Sequence, residues 1–229
     1  VLCKYPPSGF QGLWAHKVSE ALGIQPKIAA TIDQAGATNI GLVQYAMMAI
    51  EAGLIETAVC CYGDNPLSGP PGTYSKPRGP EGAYGMFGAP SGYAMIAQRH
   101  MEEFGTTSEQ LGHVAVSTRA WASKNPNAHK RDPMTIADHQ ASRYVAEPLH
   151  LLDCCLVSDG GAAVVVTSVE RAKDLNKPPV YIMGIGQHHI AWDLPQRPTL
   201  TTSGAKISGE MAFNMAGVGP QDVDVCELY

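Results

Sequence analysis

A chain of 229 residues that is 45% hydrophobic and 16% charged has enough apolar content for a sizeable core, and its length suits one large or two small domains. Its net charge of -5 and pI near 5.9 give no basic footprint, which argues against nucleic acid as the main partner. No apolar run approaches the roughly 20 residues of a membrane span and the opening VLCKYPPSGF lacks a signal-peptide layout, so the expectation is a soluble, cytoplasmic protein.

Residues 27–33, KIAATID, read as a strand. From Ile40 the apolar positions Ile40, Val43, Met47, Ile50 and Leu54 recur at spacings of three and four, one helix with one buried face, and Gly53 is its stop signal. TAVCCYG then reads as a short apolar strand of the kind buried between helices. Residues 65–92 are so dense in Gly and Pro that neither a helix nor a ladder runs far. That predicts a long loop, and Tyr74, Tyr84, Phe87 and Tyr93 argue that it packs on something, with disorder as the alternative.

Helical spacing covers 93–122, with Thr107 or Ser108 as an N-cap, and a short helix is expected over IADHQASRYVA. After the polar turn SDGG come the strand AAVVVTS and another helix start. PPVYIMGIGQHH follows as a strand, and GEMAFNMAGVGPQDVDVCELY as a helix, a Gly-Pro turn and a last strand. Strands alternating with helices imply a mainly parallel α/β sheet. The last strand stops without a cap, and the start lacks an element that would complete a first βαβ unit, so the sequence reads as a fragment of a longer protein cut inside the fold.

The six cysteines fit neither a spaced disulfide framework nor a CxxC metal site, so reduced thiols and no metal are expected. The pairs Cys60-Cys61 and Cys154-Cys155 lie in apolar segments and read as small core residues. Lys124, His129, Lys130 and Arg131 make the one clear basic cluster, either a solvated loop or an anion contact. His188 and His189 would point opposite ways on an extended segment, which disfavours a metal and leaves pocket lining. His113, between Leu111 and Val114, reads as a surface or packing histidine.

Four separated stretches carry a resemblance. LLDCCLVSDGGAAVVVTS resembles the SDGAAA strand region of thiolases, and the helix from Ile40 to Gly53 followed by TAVCCYGDNPLS resembles their active-site helix and following strand. YIMGIGQHH is similar to the MGIGP start of their C-terminal half, and VGPQDVDVCELY to the stretch leading into their oxyanion motif. SKNPNAHKRDP ahead of LLDCC looks most like the sterol-carrier-protein, or lipid-transfer, thiolases. The resemblance implies an α/β fold of duplicated βαβαβαββ type. Its N-terminal half would cover 1–64 and 151–177, an inserted loop domain 65–150, and the start of the C-terminal half 178–229. It also implies acyl-CoA substrates, a homodimer and no bound cofactor, with Lys124, Lys130 and Arg131 as candidate contacts for coenzyme A.

Thiolases carry their nucleophilic cysteine at the N-terminus of that helix in a pattern like N-x-x-C-x-S-G, where free N–H groups and the helix dipole favour the thiolate. Here the pattern falls on DQAGATN and the nucleophile position is Gly36, so an acyl-enzyme at this helix is not available. Cys60, Cys61, Cys154 and Cys155 read as structural, and Cys226 as pocket lining. The family's E-L-N-E-A-F or E-L-H-D-C-F supplies an Asn or His for enolate stabilisation; here Glu227-Leu228 leads to Tyr229, whose phenol can donate to an oxyanion or move a proton. A packing role for Tyr229 is the alternative. Gly36 and Ala37 would then offer space and backbone N–H groups. A pocket without its nucleophile resembles the Cys-less thiolase-like proteins of steroid side-chain breakdown. That implies retro-aldol cleavage of a 3-hydroxyacyl-CoA with release of acetyl- or propionyl-CoA, alongside a zinc-ribbon/OB-fold partner. The competing expectations are a non-catalytic CoA- or lipid-binding subunit and a cysteine-based thiolase that uses Cys226.

Overall fold

The computed structural model of the chain describes residues 1–9, 12–72 and 79–228. In chain order its elements are β1 (Leu2–Lys4), α1 (Trp14–Ala21), β2 (Ala30–Ile32), α2 (Thr38–Glu51), β3 (Thr57–Asp64), α3 (Gly88–Phe104), α4 (Ser108–Ala122), α5 (Ile136–Ala141), β4 (Tyr144–Ala146), β5 (Leu149–His150), β6 (Gly160–Thr167), α6 (Val169–Ala172) and α7 (Ala205–Ala216). They cluster into two units: Val1–Pro71, Ser158–His189 and Gly204–Tyr229 form the first, and Gly72–Val157 with Ile190–Ser203 the second.

The first unit is built on a four-stranded sheet of order β2-β1-β3-β6. β1 runs parallel to both β2 and β3, and β6 runs antiparallel to β3 over its whole length, from Thr57↔Thr167 to Asp64↔Gly160. Because side chains alternate across a strand, Leu2 and Cys60 join Leu42, Ala46, Ala58 and Val166 in one core cluster. Cys3 joins Val1 and Ala15, with Trp14, Val18 and Cys61 packed against them, in the other. Helices therefore cover both faces, α2 one and α1 the other. The opening residues do supply β1, and with α1 and β2 they make the βαβ unit that the sequence suggested was missing; three residues of VLCK are too short a run to read as a strand.

α2 begins and ends as expected within two residues, but its buried face does not follow the large apolar side chains. Thr38, Gly41, Leu42, Ala46 and Ala49 are buried, while Ile40 and Leu54 are 57% and 58% exposed. Small residues let the helix axis approach the sheet closely and push the bulky ones to its flanks. Its end is a Schellman motif: Gly53, at φ +69°, donates to Ile50 O at 2.9 Å and Leu54 donates to Ala49 O at 3.0 Å.

Two expected strands are absent among the described residues. Residues 178–189 form no strand and join neither sheet, and the same holds of the described stretch after the 3₁₀ turn Pro220–Asp222. The 178–189 segment is held against α7 instead. A Cβ on Gly184 would overlap Ala212 O and one on Gly186 would overlap Ser208 O, so MGIG is a pattern for close approach of backbone to helix. α7 itself starts at Ala205, four residues before the expected GEMAFNMAG.

The second unit holds three helices and the antiparallel hairpin β4-β5. The Gly/Pro-rich segment is shorter than expected: a 3₁₀ turn covers Pro80–Tyr84 and α3 starts at Gly88. Pro90 lies in the first turn, where a missing N–H has no intrahelical acceptor to lose. The part of the loop around Tyr74 lies outside the described residues. α4 opens on the expected Thr107, in a capping box with Gln110. α5 stops at Ala141, because Ser142 is extended and Tyr144–Ala146 leaves to form β4. Under the hairpin, His139 and His150 are 0% and 3% exposed. His139 Nε2 lies 2.6 Å from Asp153 Oδ1, His150 Nδ1 donates to Ser142 O at 2.6 Å, and the His150 backbone donates to Asp153 Oδ2 at 2.7 Å. The Asp of LLDCC thus ties both histidines together.

Candidate active site

The C-terminal ends of parallel strands are where open α/β sheets place their ligands, and here β2 runs directly into the turn that starts α2. That turn is set by side chains. Asp33 Oδ1 accepts from Ala35 N at 2.9 Å. The fully buried Thr38 hydroxyl accepts from Gln34 N at 2.7 Å and donates to Ala35 O at 2.8 Å. Ala35 takes the left-handed conformation, at φ +50°. Gly36 and Ala37 sit exposed at the tip, and a Cβ built on Gly36 would meet nothing within 4 Å. The position aligned with the nucleophile is thus an opening at a helix N-terminus whose first turn holds no acidic residue. The N–H of Ala37 is engaged inside the turn, donating to Gln34 O at 3.2 Å, so the space at this tip comes from Gly36.

Carboxamides surround the first turns of α2. The side chain of Gln34 lies where a Cβ on Gly41 would stand. The Nε2 of Gln187 donates to Gln44 Oε1 at 2.5 Å, which fixes the 185–189 segment to the helix. His188 lies close against Gly204, 3.1 Å from where a Cβ there would stand, and both His188 and His189 are exposed. Sequence reasoning missed these amides; the signal was Gln187, standing where the resembling MGIGP stretch has its proline. It also missed the task of the SDGG aspartate. Asp159 accepts from Leu67 N at 2.7 Å and Ser68 N at 3.2 Å, and hydrogen bonds from Ser68 and then Leu67 hold its carboxyl below the usual aspartate range. At the ends of β1 and β3, Asp64 accepts from Ser8 N, Ser8 Oγ and Tyr62 OH at 3.2, 3.1 and 3.2 Å, and Lys4 Nζ lies 4.1 Å from the centre of the Tyr62 ring.

No cysteine takes over position 36. Cys60 is buried against α2, its Sγ 3.5 Å from Leu42 O, and burial pushes its thiol up to about 11. Cys61 faces the other side of the sheet, its Sγ 3.3 Å from that of Cys3. Burial raises the Cys154 thiol, but Cys155 is exposed, contrary to the expectation of a buried pair; the segment leaves the 3₁₀ turn Leu151–Asp153 in extended form, so consecutive side chains part company. Cys226 is also exposed. Lys124, Lys130 and Arg131 are exposed in the second unit, with Lys124 Nζ 4.9 Å from the centre of the Trp121 ring. Tyr229 lies outside the described residues. Among the described residues no group of three His, Cys, Asp or Glu could hold a metal ion, and no helix is long and apolar enough to cross a membrane.

Comparison with known proteins converges on one fold. Residues 186–229 match the family described as "Thiolase C-terminal domain-like". Over 89% of its length the chain is 36% identical to the steroid side-chain-cleaving aldolase of Thermomonospora curvata, covering 56% of that protein. Over 93% of its length it is 35% identical to the 17-hydroxy-3-oxo-4-pregnene-20-carboxyl-CoA lyase of Mycobacterium tuberculosis, covering 60% of it. The chain thus spans somewhat over half the length of these curated relatives. The solved Ltp2-ChsH2(DUF35) aldolase superposes on 97% of the chain with a TM-score of 0.82 and 34% identity, the match covering 60% of that structure's chain. With this fold, this C-terminal match and Gly36 at the head of α2, the chain has a thiolase-like fold and is similar to thiolase-superfamily proteins, with no cysteine at the position aligned with their nucleophile.

Proposed function

We propose that the chain is part of a lyase that cleaves a carbon–carbon bond of a 3-hydroxyacyl-CoA by a retro-aldol reaction in sterol or lipid metabolism, releasing acetyl- or propionyl-CoA. The observation that carries this reading is the turn at Gly36: a thiolase-type helix N-terminus with open space and no thiol. A base takes the proton of the 3-hydroxyl, the C2–C3 bond breaks, the C3 fragment leaves as a carbonyl compound, and the electron pair stays on the thioester as an enolate. Protonation at C2 then completes the CoA product. The positive end of α2 and the space at Gly36 suit the enolate oxygen, with Ala37 beside it shaping the tip. Tyr229 is assigned as the proton donor or enolate stabiliser. His188, His189 and Cys226 are pocket-lining candidates, and Lys124, Lys130 and Arg131 are candidate contacts for the CoA phosphates. The relatives named as a side-chain-cleaving aldolase and a carboxyl-CoA lyase support the reaction class.

In the same reading the domains run 1–64, 65–150, 151–177 and 178–229, the protein works in the cytoplasm as a homodimer, and a zinc-ribbon/OB-fold protein is its partner, as a two-protein aldolase among the structural neighbours supports. The test is incubation of the protein, with its partner, with a 3-hydroxyacyl-CoA and separately with acetoacetyl-CoA plus CoA. Cleavage of the hydroxyacyl substrate is expected, and Tyr229→Phe should lower its kcat by about a hundredfold or more. Turnover of acetoacetyl-CoA alone would sink the proposal. Binding of CoA thioesters without turnover of either would favour a non-catalytic CoA- or lipid-binding subunit.

A further inference from the structure

Cys3 and Cys61 take no part in the chemistry proposed at Gly36. They face each other in register on the adjacent parallel strands β1 and β3, and their sulfur atoms stand 3.3 Å apart. Neighbouring strands lie about 4.7–4.9 Å apart, inside the span of about 4.4–6.8 Å between Cα atoms that a disulfide bridges. To reach a bond length of about 2.05 Å the sulfurs must close by roughly 1.3 Å, a movement within reach of side-chain torsion. Cys60 is next to Cys61 in the chain but packs on the opposite face, against Leu42 O. Cys3 is fully buried among Val1 and Ala15, whereas Cys61 is only half-buried.

We propose that Cys3 and Cys61 form an oxidative modification site, at which a peroxide closes an intrachain disulfide between β1 and β3. The Cys61 thiolate attacks one peroxide oxygen and the O–O bond breaks. The leaving oxygen departs as water once protonated, and Cys61 becomes a sulfenic acid. Cys3 sulfur then attacks that sulfur, the S–O bond breaks, and a second water leaves with the Cys3 proton. Two thiols lose two electrons and two protons, and one hydrogen peroxide becomes two waters. The order of events follows from access: Cys61 is half-buried and meets the peroxide first, whereas Cys3 is fully buried. The hydrogen bond between the two thiols works in the same sense, lowering Cys61 and raising Cys3, so Cys61 supplies the attacking thiolate and Cys3 the resolving thiol.

The test uses a Cys154→Ser/Cys155→Ser/Cys226→Ser variant, which keeps only Cys3, Cys60 and Cys61 and removes the exposed thiols. After hydrogen peroxide treatment and alkylation, peptide mass mapping without reductant should find one cross-linked pair joining Cys3 to Cys61, two hydrogen masses lighter than its parts. Cys60 should stay alkylatable after denaturation, and dithiothreitol should restore all three thiols. In a Cys3→Ala variant, dimedone should trap a sulfenic acid on Cys61 with no cross-link. A Cys60–Cys61 disulfide, a Cys61 sulfinic acid formed with Cys3 still present and reduced, or three unmodified thiols would each overturn the proposal.

Discussion

Gly36 is the residue on which the proposed chemistry turns, and the fold does not require it to be glycine. Its φ lies outside the left-handed region and a methyl group there meets open space. Gly36→Ala should therefore stabilise the protein, by about 0.4–1 kcal/mol through a less flexible unfolded chain, while lowering lyase activity because the methyl enters the proposed enolate space. Urea unfolding and kcat measured on one preparation check the two opposite signs. Thr38 is the converse. It is fully buried with both hydrogen-bonding roles of its hydroxyl used, so Thr38→Val should cost about 1–3 kcal/mol, the penalty for leaving the Gln34 N–H and Ala35 C=O without partners. An unfolding midpoint unchanged from the parent would contradict that. Gly36 was legible from the sequence because a motif with a hole in it still aligns. Thr38 was not, because a threonine in the first turn of a helix reads equally well as a neutral filler.

Elements differ in what made them readable. α4 was legible at its start because a capping box is local chemistry. The start of α3 was hidden because Gly and Pro in a first turn look like loop. The 178–189 segment reads as a strand because its alternation is real, yet its glycines serve contact with α7 rather than a ladder. Gly184→Ala and Gly186→Ala should each destabilise by about 1–3 kcal/mol or more, since the new methyl meets carbonyl oxygens of α7 that cannot step aside. Gly209→Ala, on the same helix with open space around it, should be stabilising by about 0.5–1 kcal/mol. Denaturant midpoints of the three variants separate packing from propensity. The SDGG turn makes a prediction about pH. The Asp159 carboxyl is held below its unfolded value by its bonds to Ser68 and Leu67, so the anchoring of residues 67–68 is fully present above the ordinary aspartate pKa of about 3.9 and is lost as pH falls through the lowered value. Hydrogen exchange at the Leu67 and Ser68 amides, corrected for intrinsic rate, should accelerate over that acid range and not above it.

At the scale of the molecule, the α/β class and the parallel core were legible because a buried strand, an apolar helix and another buried strand leave little alternative. The surface was not. On β6, Val164 and Val165 are 52% and 64% exposed, and on α7 Met211 and Met215 are 46% and 58% exposed. The two valines point to opposite faces of β6, whereas Met211 and Met215, four residues apart, share one face of α7. Exposed apolar side chains of this kind are places for association, so sedimentation at micromolar concentration should show species of at least twice the chain's mass. A single monomeric boundary would argue that these faces serve another purpose. The left-handed residue of the turn before α2 is Ala35, and the turn is tied by Asp33 and Thr38. The backbone there is consequently indifferent to what occupies position 36. That makes the position an interchangeable socket: the side chain carried there can change without a new turn or a new fold.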